Sequence, residues 1–292
     1  MLKKIRKSQN AFAYMLLAPS LILLIALIGY PMVYNILISV QDVPLNPKME
    51  STFVGLENFK NVLMDKEFFS SVLVTIAFTA AVVVFSTILG LAVACFLNRD
   101  FVGKKLVNAL IILSYVVPSV CLIFCWRYMF NNIYGIINYF LVDILHVVDK
   151  APLWFDSPTS AFVLVAVFNV WRFFPYAYMS FIAIMTSIDK SLYEAADIDG
   201  ANKWQKFKAV TYPAIKPTLV TVVSLRMIWA FYIYAEVKLL TSQVDVIGVY
   251  LYDVAFATHD FGKASAISLI LFVFIFICVM LVRKVVLRDD KK

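Results

Sequence analysis

The sequence predicts an all-α, polytopic membrane protein with six transmembrane helices, and three observations carry the prediction. Of its 292 residues, 62% are apolar and 15% charged, against roughly 45–50% and 25% in a soluble domain. The mean hydropathy is +0.85, and the apolar residues gather into six runs, each near the roughly 20 helical residues that a hydrocarbon layer of about 30 Å requires. The basic residues then alternate between successive loops, as they do in chains that cross a bilayer repeatedly.

Taken in order, residues 1–11 carry Lys3, Lys4, Arg6 and Lys7 and read as a cytoplasmic tail. The first span, 12–39, follows this basic start as a signal peptide would, but its apolar stretch is too long and lacks a small-residue cleavage end, so it reads as an uncleaved helix. Residues 40–68 form an outer loop in which Leu56, Phe59, Val62 and Leu63 are spaced for an amphipathic helix lying in the interface. The runs at 69–97, 106–130, 160–187, 214–235 and 264–282 make a five-helix core over 69–282, with a cytoplasmic loop at 188–217, and 283–292 is a second cytoplasmic tail.

Orientation follows from counting Lys and Arg. Seventeen of the 26 fall in the N-terminus, the 98–105 loop, the 188–217 loop and the tail, against six in the alternate loops. Both termini therefore face the cytoplasm. The same bias accounts for the formal net charge of +7 without a nucleic-acid partner.

Several function classes are excluded or disfavoured. The eight glycines never form a Gly-x-x-x-x-Gly-Lys-[Ser/Thr] cradle, and Gly262-Lys263 is followed by Ala264, so nucleotide chemistry must come from a partner. His146 and His259 lie in outer loops with no paired nucleophile, which argues against an enzyme. No metal site is expected. Cys121 and Cys125 sit four apart on one helical face without a His or acid beside them, and the four cysteines read as small buried hydrophobes.

The most informative segment is the loop Tyr193-Glu194-Ala195-Ala196-Asp197-Ile198-Asp199-Gly200-Ala201-Asn202-Lys203-Trp204-Gln205-Lys206-Phe207. It reads as two short helices with Gly200 closing the first in the left-handed conformation. Asn202 and Gln205 form a capping box for the second, and Pro213 and Pro217 mark re-entry into the next span. The alanines beside Glu194 leave a flat surface that another backbone could approach, with the carboxylate free to accept a charge-assisted hydrogen bond. An amphipathic hairpin resting on the membrane, anchored by Trp204, fits the residues equally well.

Glu194-Ala195-Ala196, Gly200 four residues later, then Val210 and Pro213, resembles the Glu-Ala-Ala loop of the membrane subunits of binding-protein-dependent ABC importers. Ile198-Asp199-Gly200-Ala201, Trp204-Gln205, Phe207 and Pro213…Pro217 are similar to the carbohydrate branch, the maltose- and glycerol-3-phosphate-type permeases. Phe53-Val54-Gly55-Leu56-Glu57-Asn58-Phe59 resembles the family's first outer loop, Trp171-Arg172-x-x-Pro175 its fourth span, and Phe261-Gly262-x-Ala264-Ser265-Ala266 the start of its sixth. One departure stands out: Ser242-Gln243-Val244-Asp245 occupies the place of the family's usual Gly-Gly-Pro turn.

The resemblance implies the type I ABC importer permease fold, in a bacterial or archaeal cytoplasmic membrane. It implies that Glu194, Ala195, Ala196, Asp199, Gly200 and Ala201 dock on an ATP-binding cassette ATPase dimer, which would use ATP and Mg while this chain holds no cofactor. A second homologous permease subunit would complete the pathway, and an extracytoplasmic solute-binding protein would deliver the solute. For the pathway, the intramembrane residues Asn169, Arg172, Phe173, Tyr176, Arg226 and Ala230 are candidates, since polar groups inside spans are costly and often functional. Aromatic faces with Asn and Arg suit a sugar, and Arg226 suits a carboxylate or phosphate on it. An importer for amino acids, polyamines or oxyanions shares the loop and is the runner-up. An ion-driven carrier is disfavoured, since such folds usually need ten or more spans in two repeats.

Overall fold

The computed structural model describes residues 2–46 and 48–287, with side chains for 12–46 and 48–286. The helices are α1 (Leu2–Leu24), α2 (Tyr30–Ser39), α3 (Glu57–Met64), α4 (Lys66–Leu97), α5 (Lys104–Val116), α6 (Ser119–Met129), α7 (Ile136–Tyr139), α8 (Pro158–Met185), α9 (Lys190–Ile198), α10 (Lys203–Lys206), α11 (Tyr212–Phe231), α12 (Ala235–Leu240), α13 (Ile247–Tyr252) and α14 (Phe261–Leu287), with strands β1 (Gln41–Asp42) and β2 (Thr52–Phe53). Among the described residues, five stretches are long and apolar enough to cross a membrane: Phe12–Ser39, Lys66–Leu97, Pro158–Met185, Lys203–Phe231 and Phe261–Val286. The N-terminal segment read as a tail is helical from Leu2 onward, and tail residues 288–292 lie outside the described residues.

The third apolar run is not one rod. It breaks into α5 and α6, bent by 95°. Pro118 has no N–H to donate and biases its predecessor away from helix, and Val117 is extended at φ −62°, ψ 136°. The loop between the fourth and fifth spans departs in the opposite sense. Its second helix is not separate, because Lys203–Phe231 is one continuous helix through a single wide turn at Phe207–Thr211. That turn, in which the Tyr212 N–H reaches the Phe207 carbonyl, takes up Pro213 without a break.

The chain divides into two compact units. In one, residues 1–65 and 251–272, β1 pairs antiparallel with β2, Gln41 opposite Phe53. Asn58 Nδ2 on α3 donates to the carbonyls of Ser39 (3.0 Å) and Gln41 (2.9 Å). Gly262 lies so close that a Cβ there would sit 2.4 Å from the Gln41 oxygen and 2.7 Å from Asn58 Nδ2. Lys263 Nζ closes the same corner on Asp65 Oδ2 at 2.6 Å. Two motifs far apart in sequence, around Asn58 and Gly262, thus meet in one joint. Of the amphipathic positions in and beside α3, Val62 is buried while Leu56 and Leu63 stay exposed.

The other unit, residues 66–250 and 273–292, is built on α4 against α8, with α11 across both and α5 beside α8. Gly90 permits the close approach of α4 and α8, since a Cβ would lie 2.6 Å from Ala177 Cβ and 2.8 Å from the Tyr178 nitrogen. One buried cluster gathers Phe78, Val82, Ile123, Val165, Phe168 and Val237, and a second gathers Ala94, Ala177, Phe181, Ile215 and Val222. The loop in place of the Gly-Gly-Pro turn is held by its own chemistry. Thr241 Oγ1 donates to the Phe155 carbonyl (2.8 Å) and accepts from the Gln243 N–H (3.0 Å), while Val244 and Val246 are buried in the first cluster. The cysteines are free, but Cys95, Cys121 and Cys125 are exposed on helix surfaces rather than buried, correcting the expectation.

Candidate functional site

Two places in the larger unit carry the sequence-derived candidates. The first is the loop after α8. Asp189 caps α9, accepting the Ser191 N–H at 2.9 Å, and this hydrogen bond holds its carboxyl below the usual carboxylate range. At the other end Gly200 takes φ +73°, the Ala201 N–H reaches the Ala196 carbonyl (2.9 Å) and the Gly200 N–H the Asp197 carbonyl (3.0 Å). This is a Schellman closure. Asn202 and Gln205 make the expected capping box at 2.7 and 3.0 Å.

α9 has no buried residue, and Glu194 and Ala195 face outward between Leu192 and Ile198, which are 53% and 87% exposed. Two contacts tie α9 to the base of the fifth span: the Tyr193 and Thr211 hydroxyls at 2.8 Å, and the ion pair of Lys206 with Asp197. Trp204 stacks on Phe207 at 5.5 Å rather than standing alone.

The second place lies inside the spans. Arg226 on α11 is 1% exposed, its guanidinium carbon 4.0 Å from the Phe173 ring centroid on α8. Arg172 lies 4.8 Å from the same ring and is paired through Nη1 with Glu236 Oε1 at 2.5 Å. Two cations thus lie against one phenyl ring, and one of them holds the carboxylate. Among the described residues, Arg226 Nε and Nη2 and Arg172 Nε have no hydrogen-bond partner. Around them the rings of Tyr115, Tyr176 and Trp229 close in, Tyr176 5.0 Å from Trp229 and 6.3 Å from Tyr115. Buried guanidinium N–H groups without acceptors are costly, and a ligand oxygen would relieve them.

The chain matches the binding-protein-dependent transport system inner membrane component family over residues 86–288. It belongs to that family. It is similar to the inner membrane ABC transporter permease protein YcjO of Escherichia coli (strain K12), 58% identical over 286 residues that cover 98% of each chain. It is also similar to the trehalose/maltose transport system permease protein MalF of Thermococcus litoralis, 31% identical over 282 residues, covering 93% of this chain and 92% of that one. Among solved structures, a bacterial ABC transporter involved in the import of the acidic polysaccharide alginate superimposes with a TM-score of 0.79 at 18% identity, over 100% of this chain and 99% of that one. The fold is therefore that of a type I importer permease, and the chain is a translocation subunit rather than an enzyme.

Of this permease's candidate residues, the structure joins Arg172, Phe173, Tyr176 and Arg226 in one cluster. Asn169 is fully buried one turn before Phe173, donates to the Val165 carbonyl (2.9 Å) and leaves Oδ1 unpartnered. Ala230 is buried one turn beyond Arg226 and offers no polar group. Sequence reasoning missed Glu236, Tyr115 and Trp229. Glu236 had a signal, being an acid directly after a span that holds a lone Arg; the two aromatics had none beyond their composition.

Proposed function

We propose that this permease imports a sugar or sugar derivative bearing an acidic group, received from an extracytoplasmic binding protein and driven by an ATPase dimer docked on α9. Both termini lie in the cytoplasm, and a second permease subunit encloses the other side of the path. The observation that carries the coupling is α9 itself: a helix capped at both ends, presenting Glu194 and Ala195 outward beside a half-buried Ala196 and closed by Asp199, Gly200 and Ala201. The reading of an acidic solute rests on Arg226, whose buried donors await an anion beside sugar-sized aromatic faces. That a relative is named for trehalose and maltose supports a sugar, while the solved neighbour's alginate supports a uronate-like charge.

The test is uptake into proteoliposomes containing this chain with its partner subunits. Import should require binding protein outside and ATP inside, and Gly200→Asp should release the ATPase during mild-detergent purification. Arg226→Gln should lower uptake of an acidic sugar by about tenfold or more, one unpaired charge–hydrogen-bond equivalent, and leave a neutral sugar unaffected. Equal uptake of the acidic sugar by the variant would remove the charged-substrate reading, and ATP-independent uptake would remove the coupling.

A further inference from the structure

A cationic cavity of about 380 Å³ lies where three apolar helices end, and no step of transport described above uses it. α4 stops at Leu97, α5 begins at Lys104 and α8 stops at Met185, so their ends meet at one level. Arg99, Lys104 and Lys190 line the cavity with a single acid, Asp100, above an apolar floor of Met185 and Ile188. Asp100 Oδ1 stands 3.3 Å from Lys104 Nζ with its side chain fully in solvent. Among the described residues, neither Arg99 nor Lys190 pairs with a carboxylate.

Two features concentrate the positive potential further. α5 opens on Lys104 and Lys105 with no acid in its first turn and no side-chain cap, so both lysines add to the positive end of the helix dipole instead of opposing it. Arg99 is drawn toward the last turn of α4, its guanidinium carbon 4.6 Å from the Phe96 ring centroid, at the edge of the apolar layer. The volume is more than ten times the roughly 30 Å³ share of a water molecule, ample for a phosphate and a glycerol.

We propose that this cavity binds the phosphodiester headgroup of an anionic membrane lipid. A charge that arrives at the end of an apolar span, over an apolar floor, is a lipid phosphate's position, and basic pockets between helices at the cytoplasmic side hold such headgroups. The import reading supplies only the leaflet, the cytoplasmic one. Occupancy would also be felt at α9, since Tyr193 lines the cavity while its hydroxyl bonds Thr211 at the base of the fifth span. The lipid braces the helix on which the ATPase is proposed to dock.

The experiment places the full chain, with its partner subunits, in nanodiscs of equal phosphatidylglycerol and phosphatidylcholine and counts retained lipids by native mass spectrometry. The wild type should retain phosphatidylglycerol preferentially. Arg99→Gln with Lys190→Gln should lower that preference about tenfold or more, at roughly one decade or slightly less per basic residue. Arg283→Gln with Lys284→Gln, which removes the same charge elsewhere on the chain, should leave it unchanged. Equal loss in both double variants would overturn the proposal in favour of diffuse surface charge. Millimolar inorganic phosphate that stabilises the wild type in pure phosphatidylcholine as well as phosphatidylglycerol does would reassign the cavity to a soluble anion. Because retention is read without ATP or solute, failure of the import reading leaves this result standing.

Discussion

Removing the carboxylate of Glu236 should destabilise the permease more than removing the guanidinium of Arg172, and removing both should recover most of the loss. The two side chains are 16% and 14% exposed and 2.5 Å apart. Breaking a fully buried pair costs about 3–5 kcal/mol, because the surviving charge is stranded, and the remaining exposure here reduces that to about 2–3 kcal/mol. In Glu236→Gln, Arg172 and Arg226 remain against the same Phe173 ring without the paired anion, so the upper end applies. In Arg172→Gln, Glu236 keeps the through-space attraction of Arg226, so the lower end applies. At about 2–4 °C per kcal/mol for a chain approaching this size, Glu236→Gln should lower the melting midpoint by about 6–12 °C, and Arg172→Gln by a few degrees less. The assay is thermal unfolding in nanodiscs for the four corners of a double-mutant cycle, whose coupling term should be about 2 kcal/mol. A coupling below about 0.5 kcal/mol, or a larger loss in Arg172→Gln, would refute this account.

Two further outcomes follow from backbone geometry. Gly248→Ala would place a Cβ 2.2 Å from the Ile233 carbonyl oxygen, so folded yield by size-exclusion chromatography should fall severely, whereas Gly103→Ala, where a Cβ meets nothing within 4 Å but φ is +90°, should show only a modest loss. Asp189, whose carboxyl is held low by the Ser191 N–H, stabilises the start of α9 above the ordinary carboxylate pKa of about 4 and loses that contribution as pH falls through its lowered folded value. Amide exchange at Ser191 and Leu192, corrected for intrinsic rates, should therefore accelerate on acidification in the wild type. Asp189→Asn, which keeps the cap without the charge, should show no such step.

Hydropathy located the spans because bilayer thickness imposes a length that any apolar run must meet. It was blind to the break at Pro118, since α5 and α6 are as apolar together as one rod would be; the proline was visible, but whether it kinks or severs depends on what packs against the bend. The α9 loop was the most legible part. Gly200, Asn202 and Gln205 specify caps through local hydrogen bonds, and local bonds are what a sequence encodes most directly. Trp204 onward was misread as a separate helix because two prolines normally end one, and the wide turn that accommodates them has no sequence signature. In the intramembrane cluster, Arg226 and Phe173 were legible as polar and aromatic groups inside spans. Glu236 stood out only as an acid directly after a span, and its pairing did not, because Arg172 lies 64 residues earlier and only the folding back of α12 brings them together.

The same geometry constrains how α9 could act on the pathway under the proposed coupling. Thr211, bonded to Tyr193, and Arg226, stacked on Phe173, belong to one uninterrupted helix, Lys203–Phe231. Fifteen residues separate them, about 22 Å at 1.5 Å per residue. A hinge at Gly200 alone would let α9 move without consequence, but the Tyr193–Thr211 hydrogen bond and the Lys206–Asp197 ion pair bridge that hinge from both sides. Displacement of α9 is therefore transmitted to the base of a rod whose far part carries Arg226. The other cation, Arg172, and the ring they share sit on α8, which approaches α4 closely at Gly90 and is fixed there. Movement of the rod against α8 changes the distance between Arg226 and the Arg172–Glu236 pair, so the field at the buried guanidinium depends on the position of α9. Under the proposed function, substrate affinity and ATPase engagement would be linked through one helix, without a chain of intermediate side chains.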